Sequence, residues 1–164
     1  MPLDDLRTLR NAPGLTTFQQ GFLDDFADLV RSLAVAQLDP GQITGTVGGK
    51  PRTLVYITLP HRADARAWLI VVIEPTTVVF SYGVDHRHFG YGEPDPPVTE
   101  ALNFAQDFLM GRIEIEIEER RLLVRTSTIR VSEGGIRERL QRSYSLARPS
   151  DKNAGVRTAS RFSI

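Results

Sequence analysis

The stretch "AWLIVVIEPTTVVFSYGVDHRHF", residues 67–89, consists mostly of β-branched and aromatic residues and is interrupted by "EPTT". Such side chains pack well on a pleated sheet, whereas proline and small polar residues favour turns. The stretch therefore predicts two strands, residues 67–75 and 77–89. Because the link between them is short, the two strands are expected to pair antiparallel.

The residues before this stretch continue the same pattern. "QITGTVG", residues 42–48, and "RTLVYITLP", residues 52–60, predict two more strands, with "GGKP" between them and "HRADAR" after them. Consecutive strands joined by short turns form a meander. The apolar face of such a sheet has to be covered by another element.

A helix upstream of the strands is expected to supply that cover. Between residues 16 and 37, bulky apolar residues recur at steps of three and four, which places them on one face of a helix. These residues are Phe18, Phe22, Phe26, Leu29 and Leu33. Thr16 or Thr17 can accept a hydrogen bond as the N-cap, and "LDPGQ" from Leu38 onward ends the helix.

The second half of the chain predicts another helix and a hairpin. Residues 98–110 have a helical apolar stripe followed by Gly111 as the C-terminal cap. "RIEIEIEER", residues 112–120, alternates strictly and predicts a strand with one buried and one solvated face. "RRLLVRTSTIRV", residues 120–131, completes a hairpin, and "SEGGIRERLQRSY", residues 132–144, predicts a short helix.

These elements together predict the α+β class. We expect a single domain over residues 1–164, with an N-terminal amphipathic helix packed on an antiparallel sheet of about six strands. A second helix precedes the last hairpin. Residues 145–164 are polar and basic, and are predicted to be a loosely docked tail.

The composition excludes several classes of protein. The chain has 164 residues, 41% of them hydrophobic, and no cysteine, so a disulfide scaffold, a thiolate zinc site and a cysteine nucleophile are excluded. The N-terminus, "MPLDDLRTLRNAPG", lacks the basic start and apolar run of a signal peptide. The longest apolar run, residues 67–73, is too short to span a bilayer. We expect a cytoplasmic protein with no membrane partner.

Charge is balanced over the whole chain but not along it. Residues 1–119 carry nine basic and seventeen acidic residues, whereas residues 120–164 carry eleven and three. The basic tail contains only two aromatic residues, Tyr144 and Phe162, so it lacks the interleaved stacking platform of a nucleic-acid-binding segment. We therefore expect no nucleic-acid partner.

His86 and His88 stand two residues apart in the strand predicted at 77–89, so their imidazoles point to the same side. Two imidazoles can hold one metal ion, with Asp85 or Glu93 supplying an oxygen ligand. Asp85, however, points to the opposite face of a regular strand, and His61 is the only other histidine. Because the ligand set is incomplete, we expect no metal and no cofactor. A metal-dependent enzyme or metal-binding protein centred on His86 and His88 is the alternative.

The carboxylates also indicate no reactive centre. General acid–base chemistry needs two groups whose surroundings push their pKa values apart. Glu114, Glu116 and Glu118 alternate with isoleucines along one strand, so each glutamate has the same surroundings. The sequence contains no Gly-x-Ser-x-Gly nucleophile elbow either. We therefore predict no catalytic residue and no enzyme, and interpret the glutamates as a solvated face or a binding surface.

The order of elements between residues 77 and 123 resembles that of a group of small bacterial proteins. A strand containing "FSYGVDHRHFGY" is followed by the acidic, proline-bearing loop "GEPDPP" and then by "ALNFAQDFLMGRIEIEIEERRLL". This succession resembles α+β immunity proteins of polymorphic toxin and immunity loci. The resemblance implies a cytoplasmic, non-enzymatic protein that binds and neutralises a cognate toxin.

An acidic docking surface fits this interpretation. A nuclease toxin presents a basic cleft, and an acidic partner gains electrostatic steering toward it. The loop and the glutamates would supply that surface, with Phe89 and Tyr91 as aromatic anchors. The predicted partner-binding residues are Asp85, His86, His88, Tyr91, Glu93, Asp95, Glu114, Glu116 and Glu118. A structural or assembly subunit is a second alternative, and the sequence leaves the oligomeric state open.

Overall fold

The structure, a computed structural model, describes residues 3–33, 38, 40–60, 69–82, 85–90, 98–120 and 123–146. It confirms the α+β class. The helices are α1 (Leu3–Leu9), α2 (Thr17–Leu33) and α3 (Val98–Leu109), with one 3₁₀ turn at Pro40–Gln42. The strands are β1 (Thr44–Gly48), β2 (Leu54–Leu59), β3 (Leu69–Ile73), β4 (Val78–Tyr82), β5 (Asp85–Phe89), β6 (Ile113–Arg120), β7 (Leu123–Val131) and β8 (Arg137–Leu146). The chain forms two compact units, Met1–Leu109 and Met110–Ile164.

In the first unit, β1 to β5 form one antiparallel sheet in sequence order, which confirms the predicted meander. The prediction of a single strand at 77–89 is wrong, because β4 and β5 fold back on each other. Tyr82 pairs with Asp85, so only residues 83 and 84 lie between the two strands. Gly83 interrupts the run of strand-forming residues, and two residues are enough to link an antiparallel pair.

Helices α2 and α3 cover one face of this sheet. The ring of Phe26 on α2 lies 6.4 Å from that of Phe80 on β4, centroid to centroid. Phe104 on α3 lies 5.6 Å from Phe80, 5.4 Å from Tyr82 and 5.5 Å from Phe89. All five rings are buried. Aromatic pairs at these separations add about 0.5–1.5 kcal/mol each beyond the area they bury. Of the phenylalanines predicted on one face of α2, Phe22 and Phe26 are in the core, and Phe18 is half-buried.

Thr16 caps α2, as predicted. The backbone N–H of Gln19 donates to Oγ1 of Thr16 at 3.2 Å, and the backbone N–H of Thr16 donates to Oε1 of Gln19 at 3.0 Å. This reciprocal pair is a capping box, and its sequence signature is Thr-x-x-Gln. The sequence predicts that this helix continues to residue 37, and residues 34–37 lie outside the described residues.

Sequence patterns do not predict helix α1, because seven residues are too few to show a helical period. Leu6 is its fully buried residue. Arg7 pairs with Asp28 of α2, and Nη1 of Arg10 lies 3.2 Å from Oδ2 of Asp24. Exposed ion pairs contribute only about 0–1 kcal/mol each, so burial of Leu6 contributes more than either of these pairs to holding α1 in place.

The second unit contains one antiparallel sheet in the order β6–β7–β8. Strands β6 and β7 form the predicted hairpin. The short helix predicted at 132–144 is wrong, because most of that segment belongs to β8. Gly134 and Gly135 have φ angles of 97° and 78°, and the N–H of Ser132 donates to the carbonyl oxygen of Ile136 at 3.0 Å. Glycine adopts such left-handed angles readily, so the chain turns there and β8 pairs with β7.

The number of strands per sheet differs from the prediction. Instead of about six strands in one sheet, the first unit has five and the second has three. The single-domain prediction for residues 1–164 stays a prediction, and most of the tail predicted at 145–164 lies outside the described residues. In the described part of the chain, none of the helices is long and apolar enough to cross a membrane.

Candidate functional site

The predicted histidine pair lies on β5, the last strand in the order of the five-stranded sheet. His86 and His88 are both exposed, and their ring centroids are 5.1 Å apart. The two residues pair with Ser81 and Val79 of β4, respectively. The structure therefore brings the two imidazoles together on one side of the strand, as their spacing predicts.

The other side of β5 is buried. Asp85 is 6% exposed, and its Oδ1 accepts a hydrogen bond from the backbone N–H of His86 at 2.9 Å. The guanidinium carbon of Arg87 lies 5.1 Å from the ring centroid of Phe89 and 5.5 Å from that of Phe104, where the faces of the rings attract a cation. Its Nη1 is buried and has no hydrogen-bond partner among the described residues. Asp85 thus supports the strand and presents little of its carboxylate to a partner.

The predicted acidic loop, "GEPDPP", lies outside the described residues. Tyr91, Glu93 and Asp95 lie outside the described residues, so their role stays a prediction. Phe89, the other predicted aromatic anchor, is 5% exposed and packs edge to face on Phe80 at 5.6 Å. It is a core residue, and its prediction as a surface anchor is wrong.

The glutamates of β6 lie in a network of arginines. Nη2 of Arg137, on β8, donates to Oε2 of Glu114 at 2.7 Å and to Oε1 of Glu116 at 2.6 Å. Arg125, on β7, forms an ion pair with Glu118. The hydrogen bonds to Glu116 and to Glu114 raise the pKa of Arg137 above its usual value, because they stabilise the charged guanidinium.

These residues share one face of the β6–β7–β8 sheet, because directly opposed residues in antiparallel strands point to the same side. We call it the Arg–Glu face. Its charged and aromatic side chains among the described residues are Glu114, Glu116, Glu118, Arg125, Arg137, Arg139, Arg142 and Tyr144. Four arginines stand there against three glutamates, so the face is charge-paired and not acidic. The sequence does not reveal this pairing, because three of the four arginines belong to β8, in the segment predicted to be a helix.

The isoleucines of β6 point to the opposite side of the sheet from the glutamates, as the alternation predicts. Ile113 and Ile115 are each 2% exposed, and Ile117 is half-buried. In the same strand, the glutamates keep contact with solvent, with 39% of the side chain of Glu116 exposed. The alternation therefore separates the isoleucines of β6 from its glutamates, whereas on β7 Arg130 lies opposite Ile113 and Ile129 lies opposite Glu114.

Two exposed apolar side chains lie at one end of the Arg–Glu face. Tyr144 is 57% exposed and Leu123 is 41% exposed. Together with Glu118 and Arg125 they line a pocket of about 150 Å³. Sites for small molecules and cofactors usually have volumes of about 300–1,000 Å³. The pocket is therefore smaller than a typical small-molecule site and is about the size of one side chain.

Within the described ranges, no group of three or more His, Asp or Glu side chains is arranged to hold a metal ion. The described residues present ion pairs, two exposed tyrosines and an exposed pair of imidazoles. The chain matches no protein-family model, no curated protein and no solved structure.

Proposed function

We propose that this chain is a non-enzymatic protein-binding protein, and specifically a cytoplasmic immunity protein that binds and neutralises a bacterial toxin domain. The observation that carries the proposal is the Arg–Glu face, where exposed Tyr144 lies beside Arg125 and a pocket the size of a side chain. Tyrosine and arginine are enriched at protein interfaces and among the residues that dominate binding energy. An exposed pair of this kind supports a docking role for this face.

The ion pairs on this face limit the kind of partner that fits. A basic toxin surface reaches Glu114 and Glu116 by replacing Arg137, whose side chain is 49% exposed and can turn away. The displaced guanidinium then pairs with a carboxylate of the partner, so that every charge keeps a counter-charge. Complementarity of this kind favours specificity and fast association more than raw affinity.

The other residues predicted to contact a partner belong to β5 or follow it in the chain. His86 and His88 are exposed and are proposed as contacts in the first unit. Tyr91, Glu93 and Asp95, beyond the described residues, are proposed to supply the acidic part of the surface. We assign Asp85 a supporting role because its carboxylate is buried.

The function is tested by co-expression with the toxin domain. We expect the gene immediately upstream to encode a secreted protein that ends in a toxin domain, and we expect this chain to restore growth to cells that produce that domain. In a binding assay with the purified domain, Tyr144→Ala should weaken affinity about 30-fold, because a dominant interface aromatic contributes about 2 kcal/mol.

Tyr56→Ala is the matched control. Tyr56 is also an exposed tyrosine, at 39%, but it lies on β2 in the other sheet. It should leave growth and affinity unchanged. Failure of this chain to relieve the toxicity would refute the immunity role, and equal losses of affinity in the two variants would refute docking through the Arg–Glu face.

A further inference from the structure

The histidine pair on β5 has a second property besides exposure. The centroids of the His86 and His88 rings are 5.1 Å apart and the ring planes are inclined at 76°. With Zn–N bonds of about 2.0–2.1 Å, two imidazoles that share one tetrahedral ion have their ring centres about 5 Å apart. The observed separation therefore already equals that of a two-histidine chelate.

A shared ion also requires one nitrogen of each ring to point toward a common position, and rotation of the rings changes the direction of those nitrogens. The torsion between Cβ and the imidazole ring is broad, without the sharp wells of aliphatic torsions. Neither ring is enclosed, since both side chains are exposed. Turning the exposed rings therefore disturbs no packed core residue.

The backbone holds the two histidines at a fixed spacing. All five residues of β5 pair with β4, and His86 and His88 lie opposite Ser81 and Val79. Both opposing side chains are small, so they leave room for the imidazoles above the sheet. The carboxylate of Asp85 fixes the backbone at His86 by accepting its N–H. A ligand pair held in place in this way loses little conformational freedom when it binds an ion.

We propose that His86 and His88 form an exposed two-histidine site for one late first-row transition-metal ion, Zn²⁺, Ni²⁺ or Cu²⁺, whose other positions are filled by water. Imidazole suits these ions, whereas Mg²⁺ and Ca²⁺ prefer oxygen ligands. Structural zinc sites use four protein ligands and catalytic ones three. Two ligands on an open strand therefore make an accessory binding site that needs no catalytic role, and its two ligands are also proposed above as contacts for a protein partner.

The site is tested by titrating the full chain, without a histidine tag, with ZnCl₂ and then CuCl₂ in a calorimeter. We expect one ion per chain, and a copper absorption spectrum typical of nitrogen ligands. His86→Ala and His88→Ala should each weaken binding by at least about tenfold, because even the loss of a hydrogen-bond partner of a ligand costs about 10- to 100-fold in metal affinity. MgCl₂ should give no heat of binding.

His61→Ala is the control, since it removes the one other histidine of the chain. It should bind Zn²⁺ and Cu²⁺ like the unaltered protein. Circular dichroism should show the His86→Ala and His88→Ala variants folded, because both side chains are exposed on β5. Undiminished binding in a His86→Ala, His88→Ala double variant would overturn the proposal, and so would one ion for every two chains.

Discussion

Gln19 uses every polar atom of its side chain, joining helix α2 to the sheet through Nε2 and capping the helix through Oε1. Its Nε2 donates to the carbonyl oxygens of Thr53, at 2.9 Å, and Ile73, at 3.0 Å. Its Oε1 accepts the backbone N–H of Thr16. The residue is fully buried, and a buried polar group is costly unless it is hydrogen-bonded. One side chain thus satisfies three backbone groups where α2 begins.

Replacing this residue should destabilise the protein strongly. Gln19→Leu removes the partner of two carbonyl oxygens and one N–H, and each buried group left without a partner costs about 1–3 kcal/mol. Because water can reach some of these groups after the change, we expect the free energy of unfolding to fall by about 2–4 kcal/mol. Urea denaturation followed by circular dichroism measures the difference.

Gln20→Leu serves as the neighbouring control. The Nε2 of Gln20 makes one exposed hydrogen bond, to the carbonyl oxygen of Arg10 at 3.4 Å. Substitutions away from buried features usually change stability by less than about 0.5 kcal/mol. Similar losses in the two variants would contradict the role assigned to Gln19.

At the scale of elements, α2 contains one residue that weakens it. Gly21 lies in the first half of the helix, exposed to solvent, and a Cβ added there would meet nothing within 4 Å. Glycine is about 0.8–1.0 kcal/mol less favourable than alanine in a helix interior. Packing of the opposite face on the sheet holds the helix despite this cost.

Gly21→Ala should therefore raise the free energy of unfolding by about 0.5–1 kcal/mol. Gly14→Ala should lower it, because Gly14 has a φ of +84° and its added Cβ would lie 2.9 Å from Oγ1 of Thr53. The same urea experiment compares both with the unaltered protein. A loss of stability in Gly21→Ala would contradict this account of the helix.

The sequence predicts a helix or strand correctly where the spacing of apolar residues within that segment is enough to indicate its type. The apolar stripes of α2 and α3 and the alternation of β6 follow from their own residues. The segment of β8 contains residues that suit a helix equally well, and its pairing with β7 decides its form. The reversal between β4 and β5 likewise depends on pairing, which a continuous run of strand-forming residues does not indicate.

At the scale of the whole molecule, charge is divided between the two compact units. Met1–Leu109 has eight basic and thirteen acidic residues, and Met110–Ile164 has twelve and seven. The sequence reveals this imbalance, and it also places His86 and His88 on one side of a strand. It does not reveal which charges meet, since the bond from Arg137 to Glu114 depends on the register of three strands. For that reason the sequence predicts an acidic surface at Glu114, Glu116 and Glu118, where the structure has the Arg–Glu face.

Heating should unfold the molecule in one step. The described residues of the second unit bury only three large apolar side chains, those of Ile113, Ile115 and Ile129. A three-stranded sheet with so small a core is not expected to stay folded alone. Differential scanning calorimetry should show a single peak whose calorimetric and van't Hoff enthalpies agree. Two resolved peaks would contradict the single-domain prediction.

Within both sheets, each strand pairs only with strands that adjoin it in sequence. Closing short loops costs little entropy, and proteins whose contacts are local fold faster than those that join distant segments. Each hairpin can therefore form as soon as its second strand has left the ribosome. Synthesis from the N-terminus can be accompanied by folding in the same order, so that few strand edges stay open to aggregation while the chain is being made.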